Sequence, residues 1–131
     1  MERENLLYND LSYKIIGAAM EVHGVLGCGF LEGVYEEAFC YELKLREIKF
    51  ERQKEIGINY KDFLLPKKYI CDLIVEDKIL VELKAKSSLD NVDDAQLINY
   101  LKATKFKLGL LFNFGSASLE YKRKVLEKLN P

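Results

Sequence analysis

Apolar residues at Leu11, Ile15, Ala18, Ala19, Val22 and Leu26 recur every three or four positions, the period of one helix face. The spacing predicts a first helix that Asn9 or Asp10 can cap and Gly27 can stop. A turn at Gly27-Cys28-Gly29 leads into a second helix, about Leu31 to Glu47. Its apolar stripe reads Leu31, Val34, Ala38, Tyr41 and Leu45, with Glu32, Tyr35 and Glu36 on an adjoining stripe. The period then falls to two. Ile56, Ile58 and Tyr60 alternate within Phe50 to Tyr60, which predicts a strand ending at a Lys61-Asp62 turn. Phe63 to Pro66 leads from there into a hairpin.

That hairpin spans Tyr69 to Ala85. Cys71, Leu73 and Val75 form one apolar set and Ile79, Val81 and Leu83 another. Placing both on one face requires an odd loop, and Glu76-Asp77-Lys78 is the simplest. The register then pairs Val75 with Ile79, Leu73 with Val81 and Cys71 with Leu83, and sets Asp72 opposite Glu82. Asp90 or Asn91 can cap a third helix to about Thr104, with Leu97, Ile98 and Leu101 buried and Gln96 and Tyr100 four apart on a neighbouring face. Lys107 to Phe114 is an apolar run and predicts a buried strand. Ser116 or Ser118 can cap a last helix to about Leu129. The expected order is α-α-β-β-β-α-β-α.

Composition narrows the class. At 131 residues the chain is expected to be one domain, residues 1–131. No apolar run reaches the ~18 residues that span a bilayer. Met1 to Asn5 is charged rather than signal-like, so the expectation is a cytoplasmic chain with no membrane partner. The three cysteines (Cys28, Cys40, Cys71) and the one histidine (His23) form no zinc pattern. Cys40 and Cys71 read as small buried hydrophobes. His23 reads first as a hydrogen-bonded, half-buried side chain. Residues 1–66 carry 8 basic and 12 acidic groups, residues 67–131 carry 12 and 9. The mildly positive second half suits a polyanion, though weakly.

The chemistry lies in the hairpin. Glu82 and Lys84 share a strand face, and Asp72 opposes Glu82. Like charges across a sheet repel, and a hard divalent cation with oxygen ligands would remove the conflict. The adjacent lysine would suit an attacking water or a developing anion. The alternative is a solvated sheet face with its charges in water.

Asp72 followed by Glu82-Leu83-Lys84 resembles the D…E-x-K signature of the PD-(D/E)XK nuclease superfamily. Gln96-Leu-Ile-Asn-Tyr100 resembles the Q-x-x-x-Y element of its RecB-like and lambda-exonuclease-like branches. Gly29-Phe-Leu-Glu32-Gly-Val-Tyr35 is similar to the motif of the GxxExxY family. The resemblance runs from about Leu11 to Gly115, and Asn113-Phe114-Gly115 is also family-like. It departs at Cys28, where the family commonly has proline.

The resemblance implies an α/β, three-layer restriction-endonuclease-like fold with a mixed central β-sheet flanked by helices. It implies a divalent-metal-dependent phosphodiesterase acting on DNA or RNA. Asp72 and Glu82 would bind Mg²⁺ or Mn²⁺, with the Leu83 carbonyl as a third ligand. Lys84 would orient the nucleophile or offset charge. Glu32 or Glu36, with Gln96, would complete the shell, and spacing leaves that choice open. Gln96 would anchor a water or a phosphate, and Tyr100 would contact phosphate or fix Lys84. Tyr35, Lys86 and Lys102 would contact nucleic acid, and His23 would shape the site from the side. The other reading is a nucleic-acid- or protein-binding module with a vestigial site. Strand state, cleavage mode and homo-oligomerisation stay open.

Overall fold

Two helices precede any strand. Helix α1 (Asn9–Leu26) buries Ser12, Ile15, Ala18, Ala19 and Val22, close to the expected stripe. In this computed structural model, which describes residues 7–126, Tyr8 occupies the position before α1 and no side chain caps it. Asn9 and Asp10 fall inside the first turn instead. Helix α2 (Glu32–Leu45) buries Tyr35, Glu36, Phe39, Cys40 and Leu43. The expected stripe is therefore wrong by one step around the helix: Leu31, Val34, Tyr41 and Leu45 are exposed. Both stripes have helical spacing. The larger Phe39 and Tyr35 take the side facing the sheet.

Strand β1 (Phe50–Ile56) pairs antiparallel with β4 (Tyr69–Val75), and β4 with β5 (Ile79–Lys84). Between β1 and β4 the chain forms a separate small hairpin of β2 (Asn59–Tyr60) and β3 (Phe63–Leu64). Helix α3 (Asn91–Ala103) carries the chain over to β6 (Leu108–Asn113), parallel to β5. Of the two expected candidates, Asp90 rather than Asn91 caps α3: its carboxylate accepts from the N–H groups of Val92 and Asp93, while Asp93 accepts from the N–H of Asp90.

The expected last helix is not formed within the described residues. Strand β7 (Glu120–Val125) instead pairs antiparallel with β6, and the end of that expected helix, residues 127–129, lies outside the described residues. The reason is tertiary. An unpaired β6 would leave a row of backbone groups open, and β7 satisfies them. Local capping signals at Ser116 and Ser118 do not outweigh that.

The sheet order is β1-β4-β5-β6-β7. One face carries α1 and α2 over a core that includes Leu73, Val81, Leu83, Leu110 and Phe112. The other carries α3 over Tyr69, Cys71, Leu80, Leu97 and Leu101. This is the expected three-layer α/β arrangement with a mixed sheet. Among the described residues no helix is long and apolar enough to cross a membrane.

Candidate active site

The regular β4–β5 ladder pairs Val75 with Ile79 and Leu73 with Val81, as the alternation predicts. It does not continue to a Cys71–Leu83 pair. The Asp72 carboxylate takes the Leu83 N–H at 2.8 Å in its place. Alternation also breaks here. Leu73 and Val75 face the α1/α2 core, whereas Cys71 joins Tyr69 on the α3 side. Opposite the break, between the Arg52–Leu73 and Lys54–Cys71 pairs, Gln53 takes a positive φ of 48°. The expectation that Cys71 shares a face with Leu73 and Val75 is thus corrected. A kink at Asp72 turns its carboxylate toward β5, beside Glu82.

Glu82 is 9% exposed. Tyr69 donates its hydroxyl hydrogen to Glu82 Oε2. Burial, and then the charge of Asp72, push the Glu82 carboxyl up to about 7. Burial also raises the Asp72 carboxyl, with Glu36 adding to the rise and the Leu83 N–H opposing it. Glu32, in the first turn of α2, is raised by burial and then by Asp72, against the pull of Lys84. Burial thus disfavours the charge of all three carboxylates, and the charge of Asp72 adds to that at Glu82 and Glu32.

Glu36 is differently placed. Arg52 Nη2 donates to its Oε2 at 3.0 Å and Gln53 Nε2 to its Oε1 at 3.0 Å. Gln53 also reaches Asp72 Oδ1 at 3.4 Å. Glu36 is thus engaged in a partly buried ion pair. Glu32 has no hydrogen-bond partner among the described residues.

Lys84 Nζ donates to Gln96 Oε1 at 3.2 Å. Gln96 on α3 positions the lysine, the role that the resemblance left to Tyr100. Tyr100 stacks on Tyr69, ring centroids 3.7 Å apart and planes 18° apart. Burial and then Glu82 raise its hydroxyl pKa.

The expected nucleic-acid contacts fare less well. Tyr35 is fully buried. It donates to the Gly27 carbonyl at 2.5 Å, accepts from the Phe30 N–H and stacks on Phe114 with centroids 4.9 Å apart. Tyr35 clamps the Gly27–Gly29 turn, so it has no surface to offer nucleic acid. Lys86 is bound to Asp93 at 2.8 Å, and Asn113 grips its backbone through both amide atoms. Lys102 is exposed on the last turn of α3. One ring nitrogen of His23, Nε2, lies 2.9 Å from the Ser116 carbonyl, a half-buried link between α1 and the segment after β6.

Tyr69, Arg52 and Gln53 are site residues that sequence reasoning missed. Tyr69 stands three before Asp72, and on an unbroken strand the two would face opposite ways. Gln53 and Arg52 sit in a polar strand with no periodic signal.

The donor chemistry suits a hard cation. The Glu82 Oε1 atom has no hydrogen-bond partner among the described residues and Asp72 Oδ1 has only a long contact with Gln53, and the raised carboxyls gain from a neighbouring positive charge. Among the described residues, no three acidic, thiol or imidazole groups converge closely enough to hold a metal by themselves. The donor set is a carboxylate pair, with Glu32 standing off.

A family model described as the PD-(D/E)XK nuclease superfamily matches residues 9–124. No curated protein matches the sequence. Among solved structures, the crystal structure of SSO0001 is similar with a TM-score of 0.57 at 18% identity, over 74% of this chain. The chain spans 51% of that protein's length. At that identity the likeness concerns the fold.

Proposed function

The chain belongs to the PD-(D/E)XK nuclease superfamily, and from that premise we propose that it is a divalent-metal-dependent phosphodiesterase cleaving DNA or RNA. The observation that carries this reading is the buried carboxyl pair of Asp72 and Glu82 beside a Lys84 positioned by Gln96, with all three carboxyls of Asp72, Glu82 and Glu32 raised by burial and the charge of Asp72 adding to the rise at Glu82 and Glu32. A solvated charged face would not bury and crowd its acids in this way. Asp72 and Glu82, with the Leu83 carbonyl and Glu32, would hold Mg²⁺ or Mn²⁺, and such an ion supplies an acidified water and charge neutralisation at a phosphate.

The chain's own residues do the rest. Tyr69 holds one Glu82 oxygen and so orients the other. The Leu83 N–H does the same for Asp72. Gln96 steers the Lys84 ammonium, which orients the nucleophile or offsets charge developing on the phosphate oxygens. The Tyr69–Tyr100 stack walls this side of the site.

A second reading, a binding module with a vestigial site, is favoured by the lack of a third converging ligand among the described residues. Cleavage of DNA and RNA with Mn²⁺ by wild type and Lys84→Ala separates the two. The expected result is wild-type cleavage that falls on the order of 10²–10³-fold in the variant, with metal binding retained. Nucleic acid bound but uncut by wild type favours the module.

A further inference from the structure

The hairpin of β2 and β3 leaves the sheet at Ile56 and returns at Tyr69, which are paired with each other. Its root is therefore the residue whose hydroxyl holds Glu82. Ile56 and Ile58 pack into the cluster of Tyr69, Cys71, Leu97 and Tyr100, and the Leu65 N–H donates to the Ile58 carbonyl at 2.9 Å. The base of the hairpin is thus fixed to the α3 wall of the site.

Its tip is exposed. Tyr60 and Phe63 are each 61% exposed and Leu64 53%. Tyr60 and Phe63 stand directly opposite one another in the ladder, so both rings project from one face. Lys61 turns the tip with a positive φ of 56° and sets its ammonium 5.5 Å from the Tyr60 ring centroid. Residues 57–68 contain three lysines (Lys61, Lys67, Lys68) against one acid, Asp62. A two-stranded ribbon gains little stability in water, and leaving aromatic rings exposed on it adds nothing to folding. Exposed rings interleaved with cations are the chemistry that stacks bases and tracks a phosphate backbone.

We propose that residues 57–68 are a base-stacking finger that grips an unpaired stretch of DNA or RNA beside the carboxylate site, with Tyr60 and Phe63 as the stacking platform and Lys61, Lys67 and Lys68 on the phosphates. This rests on the nuclease reading for the path of the substrate. The site is then fed by single-stranded or frayed nucleic acid, because the bases of an intact duplex are already stacked on one another.

The test is fluorescence anisotropy in EDTA, where nothing is cut, with labelled single-stranded DNA, single-stranded RNA and a blunt duplex. Wild type should bind a single strand more tightly than the duplex. The double variant Tyr60→Ala/Phe63→Ala should weaken single-strand binding on the order of 10- to 100-fold with an unchanged melting temperature, since both rings are exposed. Tyr60→Phe should keep wild-type affinity. Lys61→Ala should lower the salt dependence by about one phosphate contact. Wild-type affinity in the double variant, duplex preference or no nucleic-acid binding overturns the finger, the first outcome pointing to a protein partner for the exposed rings. The two readings fail separately. Finger-dependent binding without Mn²⁺-dependent cleavage removes the nuclease and keeps the finger, and Lys84-dependent cleavage untouched by the double variant does the reverse.

Discussion

Glu82 binds its proton more tightly in the folded chain, near pH 7, than at the ordinary carboxyl value of 4.5. Between those values the folded state carries a proton that the unfolded state has lost. Stability of the metal-free protein therefore falls as pH rises through that window, by a few kcal/mol on the scale of ~1.4 kcal/mol per pKa unit. Below 4.5 both states are protonated and the slope from this group vanishes. Glu82→Gln removes the titration and can still accept the Tyr69 hydroxyl hydrogen. Thermal melts in EDTA from acid to neutral pH should show the wild type losing stability while Glu82→Gln changes much less. Parallel profiles would mean that Glu82 ionises at an ordinary pH.

At the level of elements, α2 presents two acids one turn apart with opposite duties. Glu36 is buried against Arg52 and Gln53, so it ties α2 to β1. Glu32 is crowded by Asp72 and balanced by Lys84. Glu36→Gln should lower the melting temperature, at a cost on the order of 1–2 kcal/mol for a charge-assisted contact. Glu32→Gln should leave the melting temperature of the metal-free protein unchanged or raised, and should weaken metal binding. Melting curves and Mn²⁺ titration of the two variants check this. Metal binding lost in Glu36→Gln alone would reverse the assignment. The Gly29-to-Tyr35 motif divides in the same way. Gly29 supplies a φ of 115°, Tyr35 pins the turn, and Glu32 is the motif residue whose carboxyl feels Asp72 and Lys84.

Across the whole molecule, the proposed metal site predicts that stability responds to ligand. Asp72→Asn keeps an oxygen to accept from Leu83 and removes one charge beside Glu82. In EDTA it should melt at or above the wild-type temperature. Saturating Mg²⁺ or Mn²⁺ should raise the wild type, since a ligand at ~100 times its dissociation constant stabilises by about 2.7 kcal/mol, and should raise the variant little. Equal metal-induced shifts in both proteins would remove Asp72 from the metal site.

Wherever a pattern had one solution, the sequence alone determined the element. The α1 stripe, the Glu76–Lys78 loop and the pairing of Leu73 with Val81 follow from local periodicity and turn chemistry, and the resemblance to D…E-x-K and Q-x-x-x-Y grouped Asp72, Glu82, Lys84 and Gln96. For the α3 cap the sequence left Asp90 and Asn91 open, and the fold uses Asp90. Four features were decided only by the tertiary structure. The buried side of α2 depended on which stripe the sheet could pack, because two stripes had helical spacing. Residues 120–125 became β7 because β6 needed a partner for its open edge. Tyr35 was drawn inside by Gly27 and Phe114. The kink at Asp72, with Gln53 in a left-handed conformation opposite it, brought Tyr69 to Glu82. Periodicity records which side chains share a face of an ideal element, whereas a kink and an open edge arise only when separate elements meet.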